Sequence, residues 1–353
     1  MQVTGFAPDV TETIQELLPE VVVQYNDTIR LAARPQLGPI DTDVEISEIS
    51  TDGVRIAANG ESVWVDFASP VTGLDQLAQA TVDLAEAARD LHPDEPMTSL
   101  EVIMTTARGQ RLHRGEVIET RFLSDHLAAV RLGPFPGFES LGWDQSLSVL
   151  TMADGRVVPD DLTLETWRDM PEDESPRGRT YTVRSFDADG VMEIWMALHG
   201  DDPESTSTWA KQCQPGDAVA VFGPRGRFTE PTDVDHAVLV ADETAFGAAA
   251  AVAEGLDPSI SITIVGVIGG PDHEIDVGLD DRIAIRWMHA PVDVDARASA
   301  VTKHLEGIDT DRTYFWGAGE FEMTRSLRRS LRKDRGVPVE RVAVSAYWRH
   351  GAH

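Results

Sequence analysis

The apolar and polar positions of this chain change rhythm twice, and each change predicts a different kind of element. Residues 9–18 repeat apolar side chains at helical spacing, with Asp9 and Glu12 at capping-box separation and Pro19 near the expected end. Alternation then predicts strands at 44–49 and 62–67, with the turn pairs Asp52-Gly53 and Asn59-Gly60 between them. Thr72 and Asp75 open a longer helix reaching Leu91, whose Leu74, Leu77, Ala78, Leu84, Ala85 and Ala88 lie along one side. These pieces make a small α+β domain, residues 1–95, without a catalytic constellation. Pro93 and Pro96 mark a linker after it.

The second rhythm consists of short strands with turn punctuation: 115–120, 127–132, 147–152, 179–184, 191–199 and 218–222. Gly133-Pro134-Phe135-Pro136-Gly137 and Gly223-Pro224-Arg225-Gly226 punctuate them, and a polar, acidic loop spans 154–175. This spacing predicts a small antiparallel barrel over residues 110–232. Between two of its strands, residues 205–210 read as a capped helix start, whose free N–H groups suit a pyrophosphate or simply begin a helix.

From His236 the rhythm becomes strand–helix alternation. Strands fit 237–241, 260–267, 283–287, 313–316 and 339–344, and helices fit 243–255, 296–305 and 321–333. Alternation of this kind predicts a doubly wound parallel sheet over residues 233–353, with ligands gathered at the carboxyl ends of its strands. Two loops stand at such ends, Asp242-Glu243-Thr244-Ala245 and Gly317-Ala318-Gly319-Glu320. Neither is a complete dinucleotide fingerprint, and Asp242 and Glu243 equally suit a plain helix start.

Composition narrows the function. Sixty acidic residues against 30 basic ones give a net charge of −30, which argues against nucleic acid and anionic membranes as partners. The single cysteine, Cys213, excludes an internal disulfide and a cysteine-rich metal site. The ten histidines hold no HExxH motif or close cluster at metal-ligand spacing, so no metal site is expected. No apolar run reaches membrane-spanning length and the N-terminus lacks a secretory pattern, so a soluble cytoplasmic monomer is expected.

The chemistry concentrates in Arg179-Thr180-Tyr181-Thr182-Val183-Arg184. As a strand it sets Tyr181 and Val183 on one face and Thr180, Thr182 and Arg184 on the other, with Arg179 at the entrance. A guanidinium fork suits phosphate oxygens, a threonine hydroxyl suits a ring edge, and a tyrosine suits a heteroaromatic plane. An ordinary amphipathic strand has the same pattern.

Several further segments follow in order: His199-Gly200, Trp209-Ala210, Pro215-Gly216-Asp217, Gly223-Pro224-Arg225-Gly226, the two loops above, and the terminal Tyr347-Trp348-Arg349-His350-Gly351. Together they make the last two-thirds of the chain resemble the siderophore-interacting protein family of the ferredoxin–NADP reductase superfamily. The resemblance implies a multidomain protein: a small α+β N-terminal domain, an antiparallel β-barrel FAD domain and an α/β parallel-sheet NAD(P)-binding domain. It implies a flavin-dependent ferric-siderophore reductase that passes electrons from NAD(P)H through FAD to chelated Fe(III), with no catalytic acid/base triad. By that resemblance Arg179 meets the pyrophosphate, Tyr181, Thr182 and Val183 line the flavin, and Arg184 supports the pocket. Thr206 and Ser207 bind phosphate over a floor shaped by His199 and Gly200. Asp242, Glu243, Thr244, Gly317, Gly319 and Glu320 border the nicotinamide nucleotide, while Trp348 closes the flavin pocket and Arg349 meets the substrate. A ferredoxin is a further candidate electron partner. Two other readings stay open: a flavin reductase or electron-transfer flavoprotein serving another acceptor, and a noncatalytic flavin- or siderophore-binding protein.

The chain departs from the family pattern at residues 204–208, at Ala241 and Gly247 (usually glycine and proline), at Ser148, and at Trp287-Met288-His289-Ala290. The last two departures remove positive charge, which bears on siderophore recognition and on the choice of NADPH.

Overall fold

The computed structural model describes residues 2–351 except positions 41, 59, 110, 153–157, 160, 161, 164, 165, 168, 169, 172, 173, 201–204, 227, 229, 277 and 292. The chain forms two compact units, Met1–Thr105 and Thr106–His353.

In the first unit, β1 (Gln2–Val3), α1 (Pro8–Gln24) and α2 (Asn26–Leu37) precede a meander of β2 (Glu45–Ile49), β3 (Gly53–Ala58) and β4 (Glu61–Asp66). The helices α3 (Leu74–Leu91) and α4 (Ser99–Gly109) follow, the second running across the division between the units. The sheet order is β1-β2-β3-β4. Its core gathers Ile14, Leu18, Ile29, Ile49, Ile56 and Ala80. The expected capping box at Asp9 and Glu12 is not the start of α1: the N-cap is Ala7, with Pro8 at the first helical position. Nor does Pro19 end the helix, because the stripe Ile14, Leu18, Val22 continues to pack across it. The helix α2 and strand β3 are additions to the sequence expectation. Asn26 ties the start of α2 to the residue before β2, its side chain donating to Val44 O (3.0 Å) and accepting from Val44 N (3.2 Å). The segment read as a linker is tied back by Arg89, which donates to the carbonyls of His92 and Pro96 and forks the Glu101 carboxylate at 2.7 and 2.8 Å.

The second unit begins with β5 (Arg111–Ser124), β6 (Leu127–Gly133), β7 (Ser146–Thr151), β8 (Arg177–Phe186) and β9 (Met192–Ala197). After α5 (Thr206–Gln212), β10 (Ala218–Arg225) closes an antiparallel barrel of order β10-β5-β6-β9-β8-β7. Its core is apolar, with Val117, Leu132, Leu147, Val183, Met192 and Ile194 nearly inaccessible. Much of the acidic loop read at 154–175 falls on positions outside the described residues.

The parallel sheet follows as β11 (His236–Asp242), α6 (Phe246–Gly255), β12 (Ser261–Ile268), β13 (Ile283–His289), α7 (Val294–Leu305), β14 (Thr313–Glu320), α8 (Phe321–Arg329) and β15 (Val342–Trp348). All neighbours pair in parallel, in the order β13-β12-β11-β14-β15. Chain direction across the sheet reverses between β11 and β14, which makes their carboxyl ends the crevice where such sheets take ligands. Helix α6 is almost wholly buried, because its run of alanines is apolar all round and sits among apolar neighbours. Barrel residues Leu127, Ala129 and Trp195 belong to the same core as α6 and the sheet. Gly247 makes that approach possible: a Cβ there would stand 3.0 Å from Trp195 Cβ.

Candidate cofactor site

Strand β8 divides its side chains as the alternation predicts. Val183 is buried in the barrel core, and Tyr181 packs against the same core. The Tyr181 hydroxyl shares a hydrogen bond of 2.6 Å with Thr206 at the start of α5. Ser207 Oγ accepts from His199 N and donates to His199 O, both at 2.9 Å, so the Thr206 and Ser207 hydroxyls clamp α5 to the strand end. Ser205 caps the helix by accepting from Thr208 N. The His199 ring is exposed, and Gly200 turns the chain at φ +58°.

At the rim of the barrel, Arg179 is exposed and donates to the carbonyl of Gly178 at 3.4 Å. Arg225 donates to Thr180 Oγ1 and, at 3.4 Å, to Ser148 Oγ, and burial pushes its guanidinium pKa down. Among the described residues no carboxylate pairs with either guanidinium, in a chain of net charge −30. Arg184 is differently placed. Its guanidinium forks Glu254 at the end of α6, at 2.7 Å on both arms, and lies 5.1 Å over the Trp195 ring. It therefore bridges barrel to helix.

Thr182 reaches the parallel sheet. Its hydroxyl donates to Tyr347 Oη (3.1 Å), which donates to Asp144 Oδ1 (3.0 Å), while Trp316 Nε1 donates to Asp144 Oδ2 (3.1 Å). This chain of bonds joins barrel strand β8 to Tyr347 near the carboxyl end of β15 and, through Asp144, to Trp316 of β14. Neither Asp144 nor Trp316 carries a sequence signal for this role. Tyr347 did lie inside the terminal motif.

Beside it, Asp242 is 1% exposed and accepts four hydrogen bonds: Thr244 N (2.9 Å) and Oγ1 (2.6 Å), Glu320 N (2.9 Å), and Trp348 Nε1 (2.8 Å). Burial pushes its carboxyl pKa up, against the hydrogen bonds from Thr244 and Trp348. Glu320 is likewise buried and caps α8, accepting from Glu322 N and Met323 N. Gly319 must be glycine for this bracket, since its φ is +144° and a Cβ would lie 2.5 Å from Asp242 Oδ2. At Gly317 a Cβ would meet Leu327 at 2.7 Å. The half-exposed Trp348 thus stands at the edge of the crevice with its N–H anchored.

Glu243 turns away from this bracket to accept from Gly269 N and His273 Nδ1, both at 3.0 Å. Arg349 lies 4.6 Å over the Phe321 ring. It shares an open cleft of about 530 Å³ with Asp293, Asp295, Glu320, Glu322 and His350. Of the residues expected from sequence, Tyr181 meets Thr206, Ser207 meets His199, and Asp242 meets Thr244, Glu320 and Trp348, while Glu243 and Arg184 are engaged elsewhere.

The family model described as siderophore-interacting FAD-binding domain matches residues 116–228, and that described as siderophore-interacting protein matches 234–351. The chain belongs to the siderophore-interacting protein family. It is 30% identical over 265 residues to an uncharacterized protein of Mycobacterium tuberculosis, covering 69% of this chain and 92% of that protein. It is 31% identical over 221 residues to the NADPH-dependent ferric-chelate reductase of Escherichia coli, covering 60% of this chain and 82% of the relative. A solved siderophore utilization protein from T. fusca matches at 29% identity with a TM-score of 0.57, over 69% of this chain and 95% of that one. The barrel and parallel sheet together have the ferredoxin reductase-like fold.

This family member's departures from the common pattern have local reasons in two places. Gly247 replaces a proline where the helix backbone meets Trp195, and Ser148 leaves the rim's positive charge to Arg225 on the neighbouring strand. His289 donates to or accepts from Glu274 at 2.8 Å, on the far edge strand. Glu204 lies outside the described residues. No helix among the described residues is long and apolar enough to cross a membrane.

Proposed function

We propose that this protein is a flavin-dependent ferric-siderophore reductase. The observation that carries the reading is the pair of guanidinium groups, Arg179 and Arg225, which meet no carboxylate among the described residues of a strongly acidic chain. Such groups suit a pyrophosphate, and Arg179 stands on the strand that continues into the Thr182–Tyr347 junction, with Arg225 at the end of β10 donating to Thr180 of that strand. FAD fits these residues: Arg179 would hold the pyrophosphate, with Tyr181 and Thr182 along the ring system and the start of α5 at Thr206 and Ser207 beside the phosphates. When bound, FAD supplies the exchange of a hydride for single electrons. The chain's own groups then bind, orient and exclude water. Trp348, anchored by Asp242, closes the edge of the crevice, and Arg349 faces the substrate from a cleft open to solvent. The names of relatives, a ferric-chelate reductase and a ferric acinetobactin reductase, support chelated Fe(III) as the acceptor. One nicotinamide nucleotide carries two electrons, enough for two ferric centres, and the ferrous product is held less strongly by hard oxygen chelators.

The donor follows from charge. Asp293, Asp295, Glu320 and Glu322 line the cleft at the sheet's carboxyl edge and would repel a 2′-phosphate, so NADH is the expected donor. The test is anaerobic. Protein prepared gently or reconstituted with FAD should be yellow, should bleach with NADH more efficiently than with NADPH, and should recover its colour on addition of a ferric hydroxamate or catecholate with capture of Fe(II). A protein that cannot be reconstituted with flavin excludes the reading. A bleached protein that no ferric chelate reoxidises points to a different acceptor.

A further inference from the structure

Two turns of the second unit bring metal-binding side chains to one place. His126 comes from the turn between β5 and β6, and Asp272 and His273 come from the short turn after β12. The His126 and His273 rings stack at 3.5 Å with planes 11° apart, and His126 Nε2 stands 3.5 Å from Asp272 Oδ2. One ligand atom from each residue falls within 4.8 Å of the others. We propose that His126, Asp272 and His273 form a binding site for a divalent first-row transition-metal cation.

The surroundings are those of a metal-ligating histidine. His273 Nδ1 lies 3.0 Å from Glu243 Oε1, which also accepts from Gly269 N. A carboxylate at Nδ1 fixes the proton there and leaves Nε2 with its lone pair for the ion, the outer contact that imidazole ligands characteristically make. Arg297 Nη1 lies 3.9 Å from the other oxygen of that carboxylate. Gly269 gives the ring room, since a Cβ there would lie 3.1 Å from His273 Cε1. Backbone bonds pin His126 on both sides, from His126 N to Ser124 Oγ and from Leu198 N to His126 O.

Two ligands each about 2.1 Å from one ion can be at most about 4.2 Å apart, so the group must close up on binding, and the two rings must tilt out of their stack for both in-plane lone pairs to meet one ion. The movement falls on the groups free to make it. Asp272 is 76% exposed and His126 35% exposed, whereas the braced His273 is 21% exposed. Two imidazoles and one carboxylate prefer Zn(II), Fe(II) or Co(II) to Mg(II) or Ca(II), and three protein ligands leave positions for water. The proposal needs no assumption about flavin, and it accounts for Glu243 leaving the nucleotide crevice.

The untagged full chain is titrated without oxygen with ZnCl2 and CoCl2, followed by calorimetry and by visible cobalt absorption. One ion per chain is expected, with cobalt d–d bands and no competition from millimolar Mg(II). His126→Ala and His273→Ala should each weaken binding by about 100-fold, and Glu243→Gln by about 10- to 100-fold. Because His273→Ala also removes a hydrogen bond to Glu243, the exposed double variant H126A/D272N, with an unchanged melting temperature, serves as the control for folding. Undiminished Zn(II) binding in that double variant, or no binding by the wild type below millimolar concentration, overturns the site.

Discussion

Arg179 and Arg184 differ by five residues and by everything that surrounds them. The first guanidinium is exposed and meets no carboxylate among the described residues, and the second is spent on Glu254 and the Trp195 face. Arg179→Ala should therefore lower FAD affinity by about 10- to 100-fold, the range for one lost charge-assisted contact, in a fluorescence titration of the apoprotein. Arg184→Ala should instead lower stability, and a double-mutant cycle with Glu254→Ala should give a coupling of about 1 kcal/mol or more. Nothing in the motif distinguishes these two arginines, because the difference comes from a carboxylate 70 positions away. The same holds for Asp242. Its type and loop position were legible, but its four donors come from positions 244, 320 and 348, which meet only in the folded sheet. Asp242→Asn turns an amide N–H toward N–H donors, either that of Thr244 or those of Glu320 and the Trp348 indole, and should cost about 1–3 kcal/mol in denaturant unfolding.

The strands and helices after residue 110 were legible because barrel strands and parallel strands carry different hydrophobic periods, and their observed ends lie a few residues from those expected. The first unit was less so. Two prolines, Pro19 and Pro35, sit inside helices whose packed faces override the local stop signal, and β3 hides between the two turn pairs. One element contact there predicts a pH response. The hydrogen bond from Arg89, which links α3 to α4, holds the Glu101 carboxyl down from 4.5 to about 2. A depressed carboxylate stabilises the fold above its unfolded value and loses that contribution as pH falls through the folded value. The difference in melting temperature between wild type and Glu101→Gln should thus be full above pH 4.5 and shrink toward pH 2. At the sheet's carboxyl edge, Gly319→Ala should be more damaging than its size suggests. It combines a φ of +144°, costing about 1–3 kcal/mol, with a side chain driven into Asp242.

Across the second unit the division of labour is spatial: guanidinium groups that meet no carboxylate among the described residues at the barrel rim, carboxylates along the sheet edge, and a Thr182–Tyr347 contact between barrel and sheet. The expected NADH preference is a property of that arrangement, and replacing Asp293 and Asp295 by asparagine should narrow the ratio of kcat/KM for NADH over NADPH. The alanine helix α6 has a different consequence. Since Trp195 from the barrel rests on the bare backbone of Gly247, the greasy interior is a joint possession of both halves of this unit. Heat should melt residues 106–353 in one calorimetric event, and a chimera that grafts a relative's barrel onto this sheet will hold only if it brings a matching indole for the gap.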